Sequence, residues 1–119
     1  MNRVLVGIGV DIVHVPRIAR LARHRTLLTR ICAPHERSNI PDDDLSYACT
    51  WAIKEAVAKT LGTGFWQSGV EWREVCIAGR WQVTLEGRAR AIAGESSFDV
   101  EVHPHGDYVT VTVLRWANA

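Results

Sequence analysis

The sequence lacks several features that mark large classes of protein. Its formal net charge is only +1, so it has no bulk charge excess of the kind that binds duplex nucleic acid. No run approaches the roughly 20 apolar residues of a transmembrane helix, and no repeat or low-complexity tract is present. The three cysteines, Cys32, Cys49 and Cys76, show no CxxC spacing, which predicts reduced, buried thiols in a cytoplasmic protein.

What is present is an ordinary globular composition, with 47% hydrophobic and 23% charged residues. A chain of 119 residues is expected to form a single domain, residues 1–119, which is small enough to benefit from oligomerisation. Arg3 before a short apolar run resembles a signal peptide. Asp11 interrupts that run, so a secretory leader is not expected.

The stretch from Val4 to Val13, VLVGIGVDIV, is apolar except for one charge, Asp11. An isolated buried carboxylate costs far more than one residue usually contributes to folding, so Asp11 needs a partner. Gly7 and Gly9 supply the G-x-G of a dinucleotide site, but the third glycine and the following helix start are missing. Strand glycines more often mark a close approach of another backbone.

The spacing of apolar residues predicts an α+β domain with an antiparallel-rich sheet and two helical segments after the first strand. The first strand, residues 3–13, is apolar on both faces and is therefore expected at the centre of the sheet. The first helical segment opens at Pro16, and the second, roughly residues 46–61, is capped by Asp44 or Ser46. The other predicted elements are a loop with a short helical turn at its start, a hairpin, a short helix and two strands, at residues 33–44, 74–87, 88–94, 98–102 and 108–116.

Glu55 and Lys59 lie on the second predicted helix with i,i+4 spacing, so they share one face. They form either a surface ion pair or part of a site. A carboxylate on a packed helix and another on a buried strand could share a divalent cation, because Mg²⁺ prefers oxygen ligands. Asp11 and Glu55 are therefore a candidate pair, and pairing of either acid with an arginine is the alternative.

Other candidate chemistry is weaker. His103 and His105, in the segment HPHGD expected to join the last two strands, have no third ligand nearby, which argues against a metal site. The motif G-x-S-x-G is absent, and Cys32 and Cys49 have no cysteine–histidine context. A hydrolase of the covalent type is therefore disfavoured.

Basic residues concentrate between Ile12 and Arg37, where six arginines accompany a single acid, Glu36. The run Asp42–Asp44 follows at once. Such a segment is either a solvated helix face or a surface that docks an acidic partner. A nucleic-acid-binding module, with steeply salt-dependent binding, is the alternative from another class, and the near-neutral total charge argues against it.

Five segments resemble the holo-acyl-carrier-protein synthases, the small 4′-phosphopantetheinyl transferases. VGIGVDIVHVPRI resembles the opening strand and helix start of that family, and WAIKEAVAKTLGTGF resembles its signature F-A-x-K-E-A-x-x-K-A-L-G-T-G. The other three are RICAPHE, WREVCI and GDYVTVTVL, at residues 30–36, 72–77 and 106–114. Together they span nearly the whole chain in the family's order.

The resemblance implies the 4′-phosphopantetheinyl transferase fold and a Mg²⁺-dependent transfer of 4′-phosphopantetheine from coenzyme A to a serine of an acyl or peptidyl carrier protein. It implies that Asp11 and Glu55 bind the metal and that Lys59 contacts the phosphates, so these three residues would carry the reaction. Asp11 would then have its partner. Whether a carboxylate or a water accepts the serine proton stays open. The family also implies a homotrimer with sites between subunits.

The resemblance further implies two binding surfaces. One would approach coenzyme A and consists of Gly62, Thr63, Gly64, His103 and His105. The other would dock the carrier: Arg17 matches a family arginine with that role, and Arg20 and Arg23 extend its face.

Three departures from the family pattern leave open a degenerate homologue that binds coenzyme A or a carrier without transfer. Pro104 stands where the family has a histidine, and Thr50 stands where it has an arginine. The third departure is that no Lys or Arg occurs between Arg37 and Lys54. The sequence does not indicate whether the carrier serves fatty acid, polyketide or nonribosomal peptide synthesis.

Overall fold

The computed structural model describes residues 2–24, 26–62 and 69–118. Its helices are α1 (Val15–Arg23), α2 (Thr26–Ile31), α3 (Pro34–Arg37), α4 (Asp44–Thr60) and α5 (Gly87–Ala93), with a 3-10 turn at Trp72–Glu74. Its strands are β1 (Arg3–His14), β2 (Val75–Ala78), β3 (Gln82–Leu85), β4 (Ser96–His105) and β5 (Tyr108–Asn118). These elements confirm the predicted α+β class, the short turn at Pro34–Arg37 and the later hairpin and helix.

The described strands form two antiparallel sheets, one in the order β1-β5-β4 and the other made by the β2–β3 hairpin. The predicted central position of β1 is wrong, because β5 is central and β1 lies at the edge. Apolarity on both faces of β1 was interpreted as burial on both faces. Only one face is covered in this chain: Ile8 and Ile12, on the other face, are 57% and 61% exposed.

Helix α4 packs against β1 and β5 and is buried on most of its circumference. Two glycines of β1 allow this, since a Cβ at Gly9 would overlap the carbonyl oxygen of Ala56 and a Cβ at Gly7 would lie 2.5 Å from that of Thr60. The expected close backbone approach is therefore confirmed. On the sheet face that α4 covers, alternate valines of β5 are fully buried, at positions 109, 111 and 113.

The start of α4 corrects a further prediction. Its N-cap is Asp43, not Asp44 or Ser46, and the Asp43 carboxylate accepts from the backbone N of Ser46 at 2.7 Å. Between the two predicted helical segments, which are α1 and α4, the chain forms the short helix α2 and the predicted turn α3. None of the described helices combines the length and the hydropathy of a transmembrane span.

The segment HPHGD is also placed differently from the prediction. His103, Pro104 and His105 belong to β4 rather than to a connection, and the turn to β5 consists of Gly106 and Asp107. Gly106 adopts a φ of +60°, which a two-residue turn requires and glycine provides without strain.

The cysteines are free and buried, as predicted. Burial is the main cause that raises the pKa of the Cys32 and Cys49 thiols to about 11 and that of Cys76 to about 12. These thiols are therefore protonated at neutral pH and unreactive as nucleophiles.

Candidate active site

Three predicted site residues meet where β1 lies against α4. The Nζ of Lys59 donates to the carbonyl oxygen of Val10 at 2.8 Å and lies 3.2 Å from Oδ1 of Asp11. Gly7 and Gly9 make this meeting possible because they bring the helix backbone onto the strand. Asp11 therefore has a cationic partner on an element distant in sequence.

The carboxylate of Asp11 is nevertheless only half satisfied. Its side chain is 16% exposed, and its Oδ2 is buried with no hydrogen-bond partner among the described residues. Burial raises the pKa of Asp11, and the hydrogen bond from Lys59 opposes that rise. An unpaired buried oxygen costs about 1–3 kcal/mol, and more when it is charged, so this atom needs a partner that the described residues do not provide.

Glu55 adds a second carboxylate to the same space. Burial is the main cause that raises the pKa of Glu55, and the negative charge of Asp11 raises it further, while Lys59 lowers it. The predicted alternative, a surface pair between Glu55 and Lys59, is not formed, because Lys59 makes its ion pair with Asp11. The two carboxylates repel each other, and one of them, Asp11, has an unpaired oxygen. Such a group suits a hard divalent cation such as Mg²⁺, which takes oxygen ligands.

The residues predicted to approach coenzyme A do not all lie near this group. In β4, His103 pairs with Thr110 of β5, which pairs in turn with Ile12 of β1. Residues paired in this way share a sheet face. His103 therefore lies on the open face with Ile12, whereas Asp11 lies on the face that α4 covers.

The contacts of these residues are local. His103 lies 3.4 Å from a Glu101 oxygen, and the Nε2 of His105 lies 2.8 Å from the hydroxyl of Thr110. Gly62 follows α4 with a φ of +101°, so the chain turns away from the helix there. Thr63 and Gly64 lie outside the described residues.

The predicted docking arginines fall into two groups on α1. Arg17 and Arg20 are exposed, and the opposite side of the helix is buried through Ile18 and Ala22. Leu21, 43% exposed, lies one turn beyond Arg17.

Arg23 is occupied within the chain. Its guanidinium bonds Asp44, lies 3.7 Å from Asp42 and stacks 5.3 Å above the ring of Tyr47. Asp42 also accepts from the Tyr47 hydroxyl at 2.6 Å. In the run Asp42–Asp44, the first and third aspartates therefore interact with Arg23, and the second caps α4.

Sequence reasoning missed a second buried charge on α4. Lys54 is fully buried, and its Nζ lies 2.9 and 3.0 Å from the two oxygens of Glu36. Lys54 also donates to the carbonyls of Trp72 and Val75, and Glu36 accepts from the backbone N of Ile77 at 2.8 Å. A lysine within a run of small and apolar residues was the available signal for this pair.

Comparisons with known proteins agree with the five similar segments. The family model described as the 4′-phosphopantetheinyl transferase superfamily matches residues 7–113. The holo-[acyl-carrier-protein] synthase of Solidesulfovibrio magneticus is 41% identical over 92% of this chain and 97% of its own.

Solved structures agree as well. The holo-[acyl-carrier-protein] synthase of Neisseria meningitidis is 27% identical, with a TM-score of 0.72 over 94% of this chain and 98% of its own. The Helicobacter pylori enzyme, solved in complex with coenzyme A, has a TM-score of 0.74 over 91% of this chain and 98% of its own. At 22% identity, the latter supports the fold alone.

Proposed function

This chain belongs to the 4′-phosphopantetheinyl transferase superfamily as an enzyme of the holo-[acyl-carrier-protein] synthase type, and we infer that it converts apo carrier proteins to their holo form. In the proposed reaction a carrier serine oxygen forms a bond to the phosphorus that bears the pantetheine. The pyrophosphate bond of coenzyme A breaks, and adenosine 3′,5′-bisphosphate leaves. The resemblance stated from the sequence is thereby confirmed at the level of the family.

The observation that carries this proposal is the unpaired Oδ2 of Asp11 beside Glu55 and Lys59. Asp11 and Glu55 would hold Mg²⁺, since both offer hard oxygen ligands and the buried Oδ2 of Asp11 has no partner among the residues that the structure describes. The ion would supply charge neutralisation at the transferred phosphoryl group, which is the main requirement of phosphoryl transfer.

The side chains of the site have separate roles. Lys59 is 46% exposed and fixed at its tip by Asp11 and Val10, so its ammonium can reach a phosphate without searching many rotamers. Its positive charge opposes the charge that develops on the leaving phosphate. Burial raises the pKa of both Asp11 and Glu55, so each carboxylate is a better proton acceptor than an exposed acid before a cation binds.

Carrier docking is proposed on α1, through Arg17 and Arg20. Both are exposed, and Leu21 offers an apolar contact on the same side of the helix. A helix of an acidic carrier would meet cationic side chains around an apolar centre, as recognition surfaces commonly do. Arg23 contributes less, because Asp42 and Asp44 already neutralise it.

We further propose that the enzyme is a homotrimer with sites between subunits. The open face of the main sheet exposes a row of apolar side chains on β1, and such patches on soluble proteins usually mark an interface. His103 and His105 lie on that side of the sheet, away from Asp11 of their own chain. In a trimer they could serve the site of a neighbouring subunit. The reduced thiols fit a cytoplasmic location.

The degenerate alternative rests on Thr50 and Pro104. Thr50 is 3% exposed and donates its hydroxyl to the carbonyl of Ser46 at 2.8 Å. This position therefore offers coenzyme A no cation, whereas the family has an arginine there. Binding of coenzyme A would then depend more on Lys59 and on the backbone after α4.

The test incubates the purified chain with coenzyme A, Mg²⁺ and a panel of apo acyl and peptidyl carrier proteins. The proposal expects the mass of at least one carrier to rise by one phosphopantetheine, with release of adenosine 3′,5′-bisphosphate. Chelation of the metal should stop the reaction, and added Mg²⁺ should restore it. Binding of coenzyme A by calorimetry with no mass shift in any carrier would favour the degenerate homologue instead.

A further inference from the structure

A second group of metal-type ligands lies apart from Asp11 and Glu55. One ligand atom each of His35, Cys76 and Glu86 lies within 4.8 Å of the other two. The three residues come from different parts of the chain: α3, β2 and the position before α5. They converge because α3 packs against β2, and Glu86 directly follows β3, the partner strand of β2 in the hairpin.

The internal geometry of this group fits a tetrahedral ion. The sulfur of Cys76 lies 3.5 Å from Oε2 of Glu86. With zinc bond lengths of about 2.3 Å to sulfur and 2.1 Å to oxygen, a tetrahedral site places two such ligands about 3.5 Å apart. The pair is therefore already at ligand spacing, and only His35, which is exposed and free to choose a rotamer, has to close in.

The chemistry of the three donors selects the metal. Thiolate, imidazole and carboxylate together are typical of Zn²⁺ sites and are poor ligands for Mg²⁺ as a set. A thiolate, a carboxylate and a neutral imidazole also carry two negative charges, which a divalent ion neutralises. We propose that His35, Cys76 and Glu86 form a second metal site, which binds Zn²⁺ with a water as the fourth ligand and is independent of the transferase site.

The proposed site is open to solvent, and the proton of the Cys76 thiol can be released when the ion binds. His35 and Glu86 are exposed, so an ion can enter from solvent and exchange its water. In the metal-free chain the Cys76 thiol has two acceptors, the carbonyl of Arg73 at 3.4 Å and the Glu86 carboxylate. Zinc binding breaks the S–H bond, forms the Zn–S bond and releases that proton to solvent.

The location indicates a structural role. Cys76 lies between Val75, whose carbonyl accepts from Lys54, and Ile77, whose backbone N donates to Glu36. A bound ion would therefore tie α3 to the β2–β3 hairpin directly beside this buried ion pair. Because it would bind the folded chain and not the unfolded one, zinc should raise the apparent stability of the protein.

The test uses untagged protein from which transition metals have been removed. Mg²⁺ is then added in excess, so that it would occupy the carboxylates of Asp11 and Glu55. Titration with Co²⁺, a spectroscopic substitute for zinc, is expected to give a near-ultraviolet sulfur-to-cobalt band and the visible bands of a tetrahedral ion. One equivalent of Zn²⁺ should abolish both and raise the melting temperature. Only a site with a sulfur ligand gives the near-ultraviolet band.

Variants separate the site from other binding. Glu86→Gln and His35→Gln change exposed residues and should leave the fold intact, yet each should weaken Zn²⁺ binding by at least about tenfold. Cys76→Ser should remove the near-ultraviolet band, and Cys49→Ser, the matched buried cysteine, should keep it. Absence of the band in the wild type, or equal zinc affinity in Glu86→Gln, His35→Gln and the wild type, would overturn the proposal.

Discussion

Helix α4 carries two lysines five residues apart, Lys54 and Lys59, and each forms an ion pair with a carboxylate from another element. The two pairs differ in burial and in the number of hydrogen bonds that their carboxylates accept. Lys54 and Glu36 are buried, and every oxygen of the carboxylate has a donor, from Lys54, Ala33 or Ile77. Lys59 is about half exposed, and its partner Asp11 keeps one buried oxygen that has no donor in the described part of the chain.

The difference separates structural charge from functional charge. A buried pair is tolerated only when its hydrogen bonds are complete, and it then fixes the elements that supply them. An incomplete pair at a partly open position is costly unless a bound group completes it, which is typical of functional sites. Hydrogen-bond completeness therefore distinguishes the two lysines, although both belong to the same sequence motif.

The largest expected effect comes from breaking the buried pair between Lys54 and Glu36. Lys54→Ala leaves the Glu36 charge buried with two backbone donors but no cation. A loss of about 3–5 kcal/mol in the free energy of unfolding is expected. Because small domains are stable by only about 5–15 kcal/mol, this variant should be close to unfolding at room temperature. Chemical denaturation followed by circular dichroism measures the loss.

Lys59→Ala is the matched control, since it removes a lysine from the same helix at a half-exposed position. Its cost should be smaller than that of Lys54→Ala, because Lys59 is half exposed and solvent still reaches part of the Asp11 carboxylate once the lysine is removed. Equal losses from Lys54→Ala and Lys59→Ala would remove the distinction between the two pairs.

Substitutions at the partly exposed site of Asp11, Glu55 and Lys59 should show the reverse behaviour, with a large effect on activity and little effect on stability. Asp11→Ala and Glu55→Ala are each expected to lower transfer to the carrier by at least about 10²-fold, because each removes a proposed metal ligand. The metal-free variants should be as stable as the wild type or slightly more so, since the remaining carboxylate no longer faces a like charge. Turnover is measured by mass spectrometry of the carrier at saturating coenzyme A and limiting Mg²⁺. Near-wild-type turnover in either variant would exclude this assignment of the metal site.

The sequence was informative wherever a local pattern decides the structure. The extent of β1, the turn at Pro34–Arg37 and the later hairpin follow from periodicity and turn residues. The family motifs implied that Asp11, Glu55 and Lys59 belong to one site but not that Asp11 and Lys59 form an ion pair, and the close approach at Gly7 and Gly9 gives the physical reason for that pair.

The sequence was insufficient where tertiary packing decides. Apolar residues on both faces of β1 favour burial of both faces, but they do not say which element covers either one, and in this chain Ile8 and Ile12 stay exposed. The pairing of Arg23 with the acidic run depends on how α1 lies beside α4. Lys54 stands among small and apolar residues in the sequence, but its pairing with Glu36 depends on how α3 and β2 pack around it.

The same contrast between occupied and open charges applies to the arginines of α1. Arg17→Glu combined with Arg20→Glu should raise the KM for the carrier by about tenfold or more and leave that for coenzyme A nearly unchanged, because rim charges act mainly through encounter. The single variants Arg17→Gln and Arg23→Gln provide the comparison. Since Arg23 is already neutralised, its variant should change the KM less.

The wild-type enzyme should also lose apparent carrier affinity as ionic strength rises past about 0.15 M, where the Debye length is about 8 Å. An unchanged KM for the double variant at low salt would place the docking surface elsewhere on the molecule. A larger effect from Arg23→Gln than from Arg17→Gln would show that the ion pair with Asp42 and Asp44 opens when the carrier binds.

The smallest expected effect concerns a third carboxylate, that of Asp43 at the N-cap of α4, where each oxygen accepts a hydrogen bond although the residue is exposed. Asp43 caps the helix and accepts from the backbone N and the hydroxyl of Ser46, at 2.7 and 3.0 Å, and the backbone hydrogen bond is the main cause that lowers its pKa. A carboxyl with a lowered folded-state pKa stabilises the fold above its unfolded pKa of about 3.9 and loses that contribution as the pH falls through the folded value. Asp43→Ala should therefore cost about 1 kcal/mol at neutral pH and less in acid. Asp43→Asn keeps an uncharged cap and should cost less than Asp43→Ala at neutral pH. Denaturation of both variants at pH 7 and at about pH 3.5 measures this difference, and an equal penalty for Asp43→Ala at the two pH values would mean that the charge of Asp43 contributes nothing to the cap.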